Sequence, residues 1–516
     1  MPEYLSPGVY IEEVDRGTRP IEAVGTAVAA FVGFTEKAED VQNGGTPTLL
    51  LNRATLVTNW SQYAQKFGGF APGAYLPYAV YGYFQNGGGR CYVISVKALG
   101  RSVEPGATVS AVALLPAGDE KAGNALEIAA REGGPAGNAI KVEVRPGEGE
   151  SFTLIIQGPS GAPETFDGLT TGKGSGNVAT VVNAKSTWVT VKVVKSGLVP
   201  KAGSYQLTGG EVKTVSLTVA DYKGDPAART SIGGLEAVDG VTMLAVPDLM
   251  SSYENGELDL QGVQAVQMAM YEFCERNKYC FAILDTPPGL SPQQALEWRL
   301  SSNYDTRYAA LYYPWLQVAD VSGGSGAMRL VPPSGYMAGI YARSDSERGV
   351  HKAPANEVVR GATGLAVQVT KGEQDILNPK GINCIRSFPG RGIRAWGART
   401  LSSDPAWRYV NVRRLFNMVE ESIERGTQWV VFEPNDPDLW ARVRRDVRAF
   451  LSVIWRSGAL FGAAPDQAFY VKCDEETNPQ ETRDLGQLII EIGIAPVKPA
   501  EFVIFRISQW AGGASE

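Results

Sequence analysis

The sequence predicts an α/β (α+β) multidomain protein with an α/β body, a β-rich insertion domain and extended strand arms at both ends. Three observations lead to this prediction. Helical and buried-strand patterns alternate over 25–100 and again over 232–345. Short strand-like runs separated by turn residues fill 101–231, and both ends are apolar where termini are usually polar. With 516 residues, the chain has room for about three domains.

The body begins with "GTAVAAFVGF" (25–34), whose apolar and β-branched residues between glycines predict a buried strand. "LVTNWSQYAQKFGGF" (56–70) predicts a short helix capped by Thr58 or Asn59. Residues 75–96 then predict a helix, a glycine break and a second buried strand. This alternation is typical of an α/β domain.

The pattern changes over 101–231. Runs such as "SFTLIIQGP" and "STWVTVKVV" are rich in β-branched and aromatic residues, and Gly, Pro and Asn separate them. We find no good helical pattern among them and expect a β-rich outer insertion.

Helix–strand alternation returns after residue 231. The predicted elements are a strand over 238–249, a helix over 262–277, a strand over 279–289, a helix over 291–302 with Ser291 as N-cap, and a strand over 308–318. We therefore expect 25–100 and 232–345 to form one body that the insertion interrupts.

The last third predicts two long amphipathic helices. One starts at Ser403 or Asp404 and ends at Gly426, and the other starts at Asp436 and Pro437. Strands are expected over 428–434 and 467–474. The expected domain boundaries are an N-terminal arm over 1–24, a junction over 346–380, a C-terminal domain over 381–496 and a C-terminal arm over 497–516.

The charge is uneven along the chain. The net charge of −7 argues against a general nucleic-acid binder. Residues 380–460, however, hold 13 arginines and one lysine against eight acidic residues, a net charge of +6. Arg442, Arg445 and Arg448 share one face of the second long helix. This face is either a docking surface for an acidic partner or an ordinary solvated basic surface.

Metal, cofactor and membrane sites are not expected. The five cysteines are scattered without a CxxC pair and the chain has a single histidine, so we expect reduced thiols and no metal. "DGLTTGKGSGN" (167–177) lacks the spacing of a phosphate-binding loop.

No apolar run approaches the length of a membrane span, and "MPEYLSPGVYIEEV" does not have the pattern of a signal peptide. We therefore expect synthesis and assembly in the cytoplasm.

The only histidine, His351, follows Ser344, Asp345 and Ser346, which suggests a serine hydrolase as one hypothesis. A catalytic triad needs groups that converge from separate places on a rigid scaffold. These residues instead share one short polar stretch, so we expect no catalytic residues there. The alternative interpretation is that 346–357 joins the body to the C-terminal domain and that His351 is a linker residue.

Several segments resemble one known family. They are "LSPGVYIEEV", "FVGFTEKA", "PPSGYMAGIYARSDSERGVHKAPANE" (332–357), the run "GINCIRSFPGRGIRAWGARTLSSDPAWRYVNVRRLFNMVEESIERGTQWVVFEPN" (381–435) and "ETRDLGQLIIEIGIAPVKPAEFVIFRISQ" (481–509). Together they resemble the contractile tail sheath proteins of phages, R-type pyocins and phage-tail-like injection systems. The resemblance covers residues 1 to about 100 and 232 to 516, and it is loose over the insertion.

The resemblance implies a structural subunit whose arms each add a strand to a sheet of a neighbouring subunit. Repeated contacts of this kind build an open helix of stacked hexameric rings around an inner tube. The implied partners are further copies of the chain, the inner tube protein, and the baseplate and tail terminator or cap proteins, without nucleic acid or membrane insertion. The arm residues that we expect to make inter-subunit contacts are Val9, Tyr10, Ile11, Phe502, Val503, Ile504, Phe505 and Ile507.

The implied mechanism is contraction. An extended, metastable sheath repacks as its subunits rotate outward, and the tube is driven through a target envelope. Arg442, Arg445 and Arg448 are then candidates for docking on the tube. No cofactor or enzymatic activity is expected. Two alternatives remain open: a non-contractile filament or baseplate component, and a serine hydrolase built on Ser344 or Ser346 with His351.

Overall fold

The computed structural model describes residues 20–41, 47–99, 108–119, 122–159, 161–212, 216–322 and 326–506. The chain divides into two compact units. The larger consists of Met1–Ala98 with Leu217–Glu516, and the smaller of Leu99–Ser216.

The larger unit begins with strands and two helices that precede the insertion. They are β1 (Val28–Thr35), β2 (Glu39–Asp40), β3 (Thr48–Leu49), β4 (Thr55–Val57), α1 (Trp60–Phe67), α2 (Leu76–Gln85) and β5 (Arg90–Ala98).

The smaller unit is mainly β-structure. Its elements are β6 (Thr108–Val109), β7 (Val112–Pro116), β8 (Asn124–Ala130), β9 (Lys141–Pro146), β10 (Phe152–Gln157), β11 (Glu164–Leu169), α3 (Val178–Lys185), β12 (Val189–Val193), β13 (Gly203–Gln206) and β14 (Glu211–Val212). They form a four-stranded sheet, a three-stranded sheet and a strand pair around their own apolar core.

The larger unit resumes at residue 217 with helices and strands in alternation. Up to the C-terminal helices they are α4 (Val219–Lys223), α5 (Ser231–Gly234), β15 (Met243–Ala245), α6 (Leu249–Glu254), α7 (Leu260–Asn277), β16 (Phe281–Asp285), α8 (Pro292–Ser301), β17 (Ala309–Tyr313), β18 (Leu316–Ala319), β19 (Met328–Val331), α9 (Ser334–Arg348), β20 (Glu357–Val358), β21 (Ala362–Leu365), α10 (Lys371–Leu377), β22 (Ile382–Phe388) and β23 (Gly392–Ala395).

The last elements are α11 (Val410–Gly426), α12 (Pro437–Arg456), α13 (Pro465–Ala468), β24 (Phe469–Lys472), α14 (Gln480–Asp484) and β25 (Glu491–Ile494). Apolar side chains of α11 and α12 pack into one core, and residues of β24 join it. β24 and β25 pair antiparallel as a sheet of two strands.

The main sheet has nine strands in the order β20–β23–β22–β17–β16–β15–β1–β5–β4. The six strands from β22 to β5 are parallel to their neighbours, whereas β4, β23 and β20 run antiparallel at the two margins. β1 is buried along its whole length, as expected for a parallel strand in a sheet covered on both faces. The predicted α/β fold class is therefore confirmed.

Helices α2 and α9 pack closely against each other because glycines lie at their contact. A Cβ on Gly335 would come within 2.4 Å of the Cα of Ala79. Buried carboxylates cap both helices. Asp248 accepts hydrogen bonds from the Tyr75 and Leu76 amides at the start of α2, and Asp285 accepts from the amide and hydroxyl of Ser334 at the start of α9.

Two predicted domain boundaries differ from the observed units. The predicted insertion extended to residue 231, but Leu217 onward belongs to the larger unit, where the Tyr222 hydroxyl lies 3.0 Å from the Asp248 carbonyl oxygen. The boundary predicted at residue 381 falls inside the main sheet, since β22 and β23 are two of its strands.

The predicted strand over 428–434 is wrong. Gln428–Val430 form a 3-10 turn, and the segment joins α11 to α12 without a strand ladder. The first long helix also begins later than predicted. Asp404 caps only a 3-10 turn at Pro405–Trp407, and Tyr409 then forms an isolated antiparallel bridge with Arg399 before α11 starts at Val410.

Two other elements differ from expectation. The insertion contains the helix α3, which begins where the Asn177 side chain accepts a hydrogen bond from the Thr180 amide. The strand predicted over 308–318 is two strands that belong to different sheets, β17 and β18. The caps predicted at Asn59, Ser291 and Asp436 are confirmed.

Candidate subunit-interaction site

The C-terminal segment leaves the subunit as an unpaired apolar run. Residues 501–506 belong to no helix or strand. The side chains of Phe502, Val503, Ile504 and Phe505 are 71%, 70%, 78% and 84% exposed. Four consecutive exposed apolar residues are unusual for a folded surface and indicate a missing partner. The other predicted arm residues, Val9, Tyr10, Ile11 and Ile507, lie outside the described residues.

Part of the predicted N-terminal arm packs on its own subunit. Ile21 is buried against Gly426 at the end of α11, and the Val24 amide donates to the Ser422 hydroxyl at 3.0 Å. Residues 20–24 therefore belong to the folded body, in contrast to the predicted arm of 1–24.

The two-stranded sheet formed by β24 and β25 has outer edges without a ladder. The strands pair from Phe469 with Ile494 to Lys472 with Glu491, and in the described part of the chain neither has a second strand ladder. A two-stranded sheet presents unpaired backbone groups on both sides and can accept further strands.

Glu501 fixes the base of the exposed segment to the body. Its carboxylate accepts two hydrogen bonds from Arg399, at 2.8 and 2.7 Å, and further ones from Asn378 at 2.7 Å and Tyr409 at 2.9 Å. Burial alone would raise the pKa of Glu501, but these hydrogen bonds lower it below the ordinary glutamate value.

The predicted basic face is exposed but already paired within the subunit. Arg442 lies 3.6 Å from Glu433, Arg445 lies 3.2 Å from Asp446, and Arg448 lies 2.8 Å from Asp466. All three guanidinium side chains are about half exposed. An acidic partner would therefore compete with these carboxylates rather than meet bare cations.

Part of the positive charge of residues 380–460 is interior. Arg414 is buried and forms a double hydrogen bond with Asp345, at 2.9 and 2.6 Å. Arg413 is buried between the rings of Tyr308 and Trp407. The count of charges along the sequence thus overstates the basic character of the surface.

The serine, aspartate and histidine of the hydrolase hypothesis do not converge. The Asp345 carboxylate is occupied by Arg414 and by the Thr26 hydroxyl at 2.6 Å. The buried Ser344 hydroxyl has no hydrogen-bond partner in the described part of the chain. Burial and the nearby Arg348 lower the pKa of His351, whose backbone carbonyl accepts from the Asn411 side chain. The arrangement lacks the relay that a serine nucleophile requires.

A cleft of about 940 Å³ lies where the C-terminal segment crosses the body. Basic and aromatic side chains line it, among them Arg386, Trp396 and Lys498, together with His351. Among the described residues, no group of three or more His, Cys, Asp or Glu side chains could hold a metal ion. None of the helices in the described ranges is long and apolar enough to cross a membrane.

The C-terminal run was predicted from the sequence, but three other features were not. The β24–β25 sheet was not identified, because only its first strand was predicted. The role of Glu501 depends on partners about 100 residues away, although a lone acidic residue at the head of an apolar run is a usable signal. Val431 and Phe432 were assigned to a strand, whereas both are exposed at a loop tip.

Comparison with known proteins places these features. The family model for the phage tail sheath protein central domain matches residues 256–401, and the model for the phage tail sheath C-terminal domain matches 402–509. The chain belongs to the phage tail sheath family.

Known tail sheath proteins are similar in sequence and in fold. A putative prophage major tail sheath protein of Pseudomonas aeruginosa is 30% identical over 256 residues, which are 48% of this chain and 63% of that protein. The anti-feeding prophage helical sheath in the contracted state is 27% identical with a TM-score of 0.59, covering 98% of this chain and 99% of that chain. The PVC sheath complex of an extracellular contractile injection system, also contracted, is 25% identical with a TM-score of 0.59, covering 99% of both chains.

Family membership accounts for the architecture of the larger unit. The central-domain match includes strands of the main sheet, and the C-terminal match spans α11, α12 and the β24–β25 pair up to the exposed segment. The family is one of structural sheath proteins.

Proposed function

We propose that this chain is a subunit of a contractile sheath that polymerises as stacked hexameric rings around an inner tube and contracts to drive the tube through a target envelope. The observation that carries the proposal is that one subunit holds both halves of a strand-exchange contact. It has an exposed apolar C-terminal segment and a two-stranded sheet whose outer edges carry no further strand among the described residues.

Donation of a strand from one subunit to the next would bury the apolar segment and pair an edge of the sheet in a single contact. A donated segment pairs its backbone with an edge of the β24–β25 sheet, and alternate side chains turn toward the apolar core beneath it. Each apolar side chain that becomes fully buried contributes about 2 kcal/mol. The N-terminal segment with Val9, Tyr10 and Ile11 is the second candidate donor.

The same contact explains why the subunits would form an open helical polymer rather than a closed dimer. Donor and acceptor are different surfaces, so each subunit leaves one of each unused and the next subunit can add. In contraction, the folded bodies repack as nearly rigid units while the donated strands keep them connected. The anti-feeding prophage and PVC sheaths, whose chains are similar to this one, are described in a contracted state, which supports contraction as the function.

The remaining partners follow from this assembly. The inner tube would lie inside the polymer, and the baseplate and a terminator or cap protein would lie at its ends. The assembly needs neither nucleic acid nor a membrane. The energy of contraction resides in the folded assembly, so the function requires neither a cofactor nor catalysis. The separate hydrogen-bond partners of Asp345 and His351 support a non-enzymatic role.

Arg442, Arg445 and Arg448 are the proposed tube-docking face in the extended sheath. Exposed ion pairs contribute only about 0–1 kcal/mol each, so exchanging Glu433, Asp446 and Asp466 for acidic groups of a tube costs little. Reversal of Arg442 and Arg445 to glutamate should leave a folded subunit that no longer forms extended sheaths on tubes. Normal tube-filled sheaths from this variant would exclude docking through this face.

Removal of the arm tests the central proposal. A chain ending at Glu501 should be folded and soluble, with an unfolding temperature close to that of the full chain, and should form no long sheaths in electron micrographs. The matched control ends at Trp510 and keeps the apolar run. Long sheaths from the shorter chain would refute strand donation by this segment.

The same micrographs address the alternatives. A contractile sheath gives long thin and short wide tubes, whereas a non-contractile filament gives one width and a baseplate component gives rings without tubes.

A further inference from the structure

The exposed C-terminal segment begins at an ion pair between Glu501 and Arg399. This ion pair is connected by hydrogen bonds to the core of the larger unit. Arg399 holds Glu501 with two hydrogen bonds and is itself fixed by Asn383 of β22. The Asn383 side chain accepts from the Arg399 amide at 2.7 Å and donates to the Arg399 carbonyl at 2.8 Å. Because Asn383 is fully buried in the main sheet, its two hydrogen bonds tie the backbone of Arg399 to the sheet.

Two other elements complete the contact. Asn378 follows α10 and Tyr409 immediately precedes α11, and both donate to the Glu501 carboxylate. We call Asn378, Arg399, Tyr409 and Glu501 the clasp. Four hydrogen bonds from three directions leave one carboxylate little orientational freedom.

Apolar packing does not hold the same stretch of chain. Lys498 and Ala500 are exposed, and residues 497–503 line the 940 Å³ cleft rather than filling it. The chain is last held before this stretch at Val497, whose amide donates to the Ala459 carbonyl at 3.1 Å and whose carbonyl accepts from Asn411 at 3.2 Å. Beyond Glu501, the four apolar side chains at 502–505 are exposed. The direction in which the segment leaves the body therefore depends on the clasp.

We infer that the clasp positions the C-terminal arm: Glu501 and Arg399 hold the first residue of the arm in a fixed orientation, so that the apolar run is presented to a neighbouring subunit as an already directed strand. This role rests on the proposed function of the arm. Preorganisation of this kind reduces the ordering cost of association.

The test measures arm direction in the single subunit, apart from assembly. Spin labels at Val503→Cys and Ala406→Cys report the distance between the arm and the body. Their reaction is selective because all five native cysteines are buried. Glu501→Gln keeps the shape of the side chain and removes its charge. Glu475→Gln, an exposed glutamate without a partner in the described structure, is the matched control.

We expect a narrow distance distribution for the parent and for Glu475→Gln, and a broad one for Glu501→Gln, with an unchanged unfolding temperature and a loss of long sheaths. An equally narrow distribution in Glu501→Gln overturns the clasp, whatever polymers form. If the distribution broadens but normal sheaths form, the clasp does direct the arm, but this direction is not needed for assembly, and the proposed role in assembly is refuted. Normal sheaths from the chain ending at Glu501 refute the function of the arm itself.

Discussion

Phe432 combines two features that a stable monomer avoids. Its side chain is fully exposed, and its backbone φ is +68°, in the left-handed region that bulky residues rarely adopt. Beside it, Val431 is also exposed, with an ordinary φ of −67°. The side chains at the base of this loop are fixed, since Arg442 lies over the Trp429 ring and pairs with Glu433. The loop tip therefore stores strain on a supported base.

Phe432→Asn should stabilise the free subunit. Asparagine tolerates a positive φ, and the left-handed conformation costs other residues about 1–2 kcal/mol, so we expect the free energy of unfolding to rise by about 1 kcal/mol. Urea unfolding of the unassembled subunit measures the change. Val431→Asn is the control, since its backbone is relaxed. A decrease for Phe432→Asn, or an equal increase for both variants, would contradict this account of the strain.

At the residue scale, helix caps were predictable because they depend on neighbouring residues, whereas contacts between residues far apart in the sequence were not. The caps at Asn59, Ser291 and Asp436 follow from a few neighbouring residues, and the structure contains them. The buried ion pair of Arg414 with Asp345 joins positions 69 residues apart. No local pattern distinguishes such an arginine from the exposed Arg445, so the interior arginines were counted as surface charge.

At the scale of elements, amphipathic helices and buried strands were predictable because their patterns reflect which face is covered. α7, α8 and α12 lie where periodicity places them. The error over 428–434 has a physical cause: a β-branched apolar run becomes a strand only beside another strand, and this run connects two helices. The pairing of β24 with β25 was likewise not predictable from either segment alone.

The capping carboxylates of α2 and α9 make stability depend on pH. Burial raises the pKa of Asp285 to about 7, although hydrogen bonds from Ser334 favour its ionised form, and burial raises the pKa of Asp248 to about 6. The native state therefore binds these protons more tightly than the unfolded chain. The contribution is fully present below the ordinary aspartate pKa near 4 and is lost as the pH rises through 6 to 7.

We expect the free energy of unfolding of the unassembled subunit to fall between pH 5 and pH 8, and Asp285→Asn to reduce that fall. Each unit of pKa difference corresponds to about 1.4 kcal/mol, so the effect is on the order of 1–3 kcal/mol. The slope should decrease rather than vanish, since Asp248 still titrates. The exposed Asp375→Asn serves as the control. An identical pH profile in Asp285→Asn and the parent would refute the assignment.

At the scale of the molecule, the insertion is a compact unit with its own apolar core. Its core consists of side chains from its own strands, and Leu115 and Leu154 are fully buried in it. The β-rich character was predictable because turns and short apolar runs are local features. The end of the insertion was not, because residues after 216 show their attachment only through long-range contacts such as that of Tyr222.

The smaller unit should therefore fold when expressed as residues 99–216. Thermal unfolding should be cooperative, and amide NMR signals should be dispersed. Leu115→Asp should abolish both, since a buried charge without a partner costs several kcal/mol, whereas the neighbouring Leu114→Asp should be tolerated because Leu114 is 53% exposed. A disordered 99–216 fragment, or equal effects of the two substitutions, would show that the unit depends on the rest of the chain.

The first described residues and the base of the exposed C-terminal segment are both tied to α11. Residues 20–24 lie against its last turns, through Ile21 beside Gly426, and the Glu501 carboxylate is bound by Tyr409 at its first turn. A helix of 17 residues is about 25 Å long and barely stretches. In the proposed assembly, tension on one arm therefore reaches the other along this stiff helix, and the length of α11 sets the distance between the two points at which each subunit is pulled.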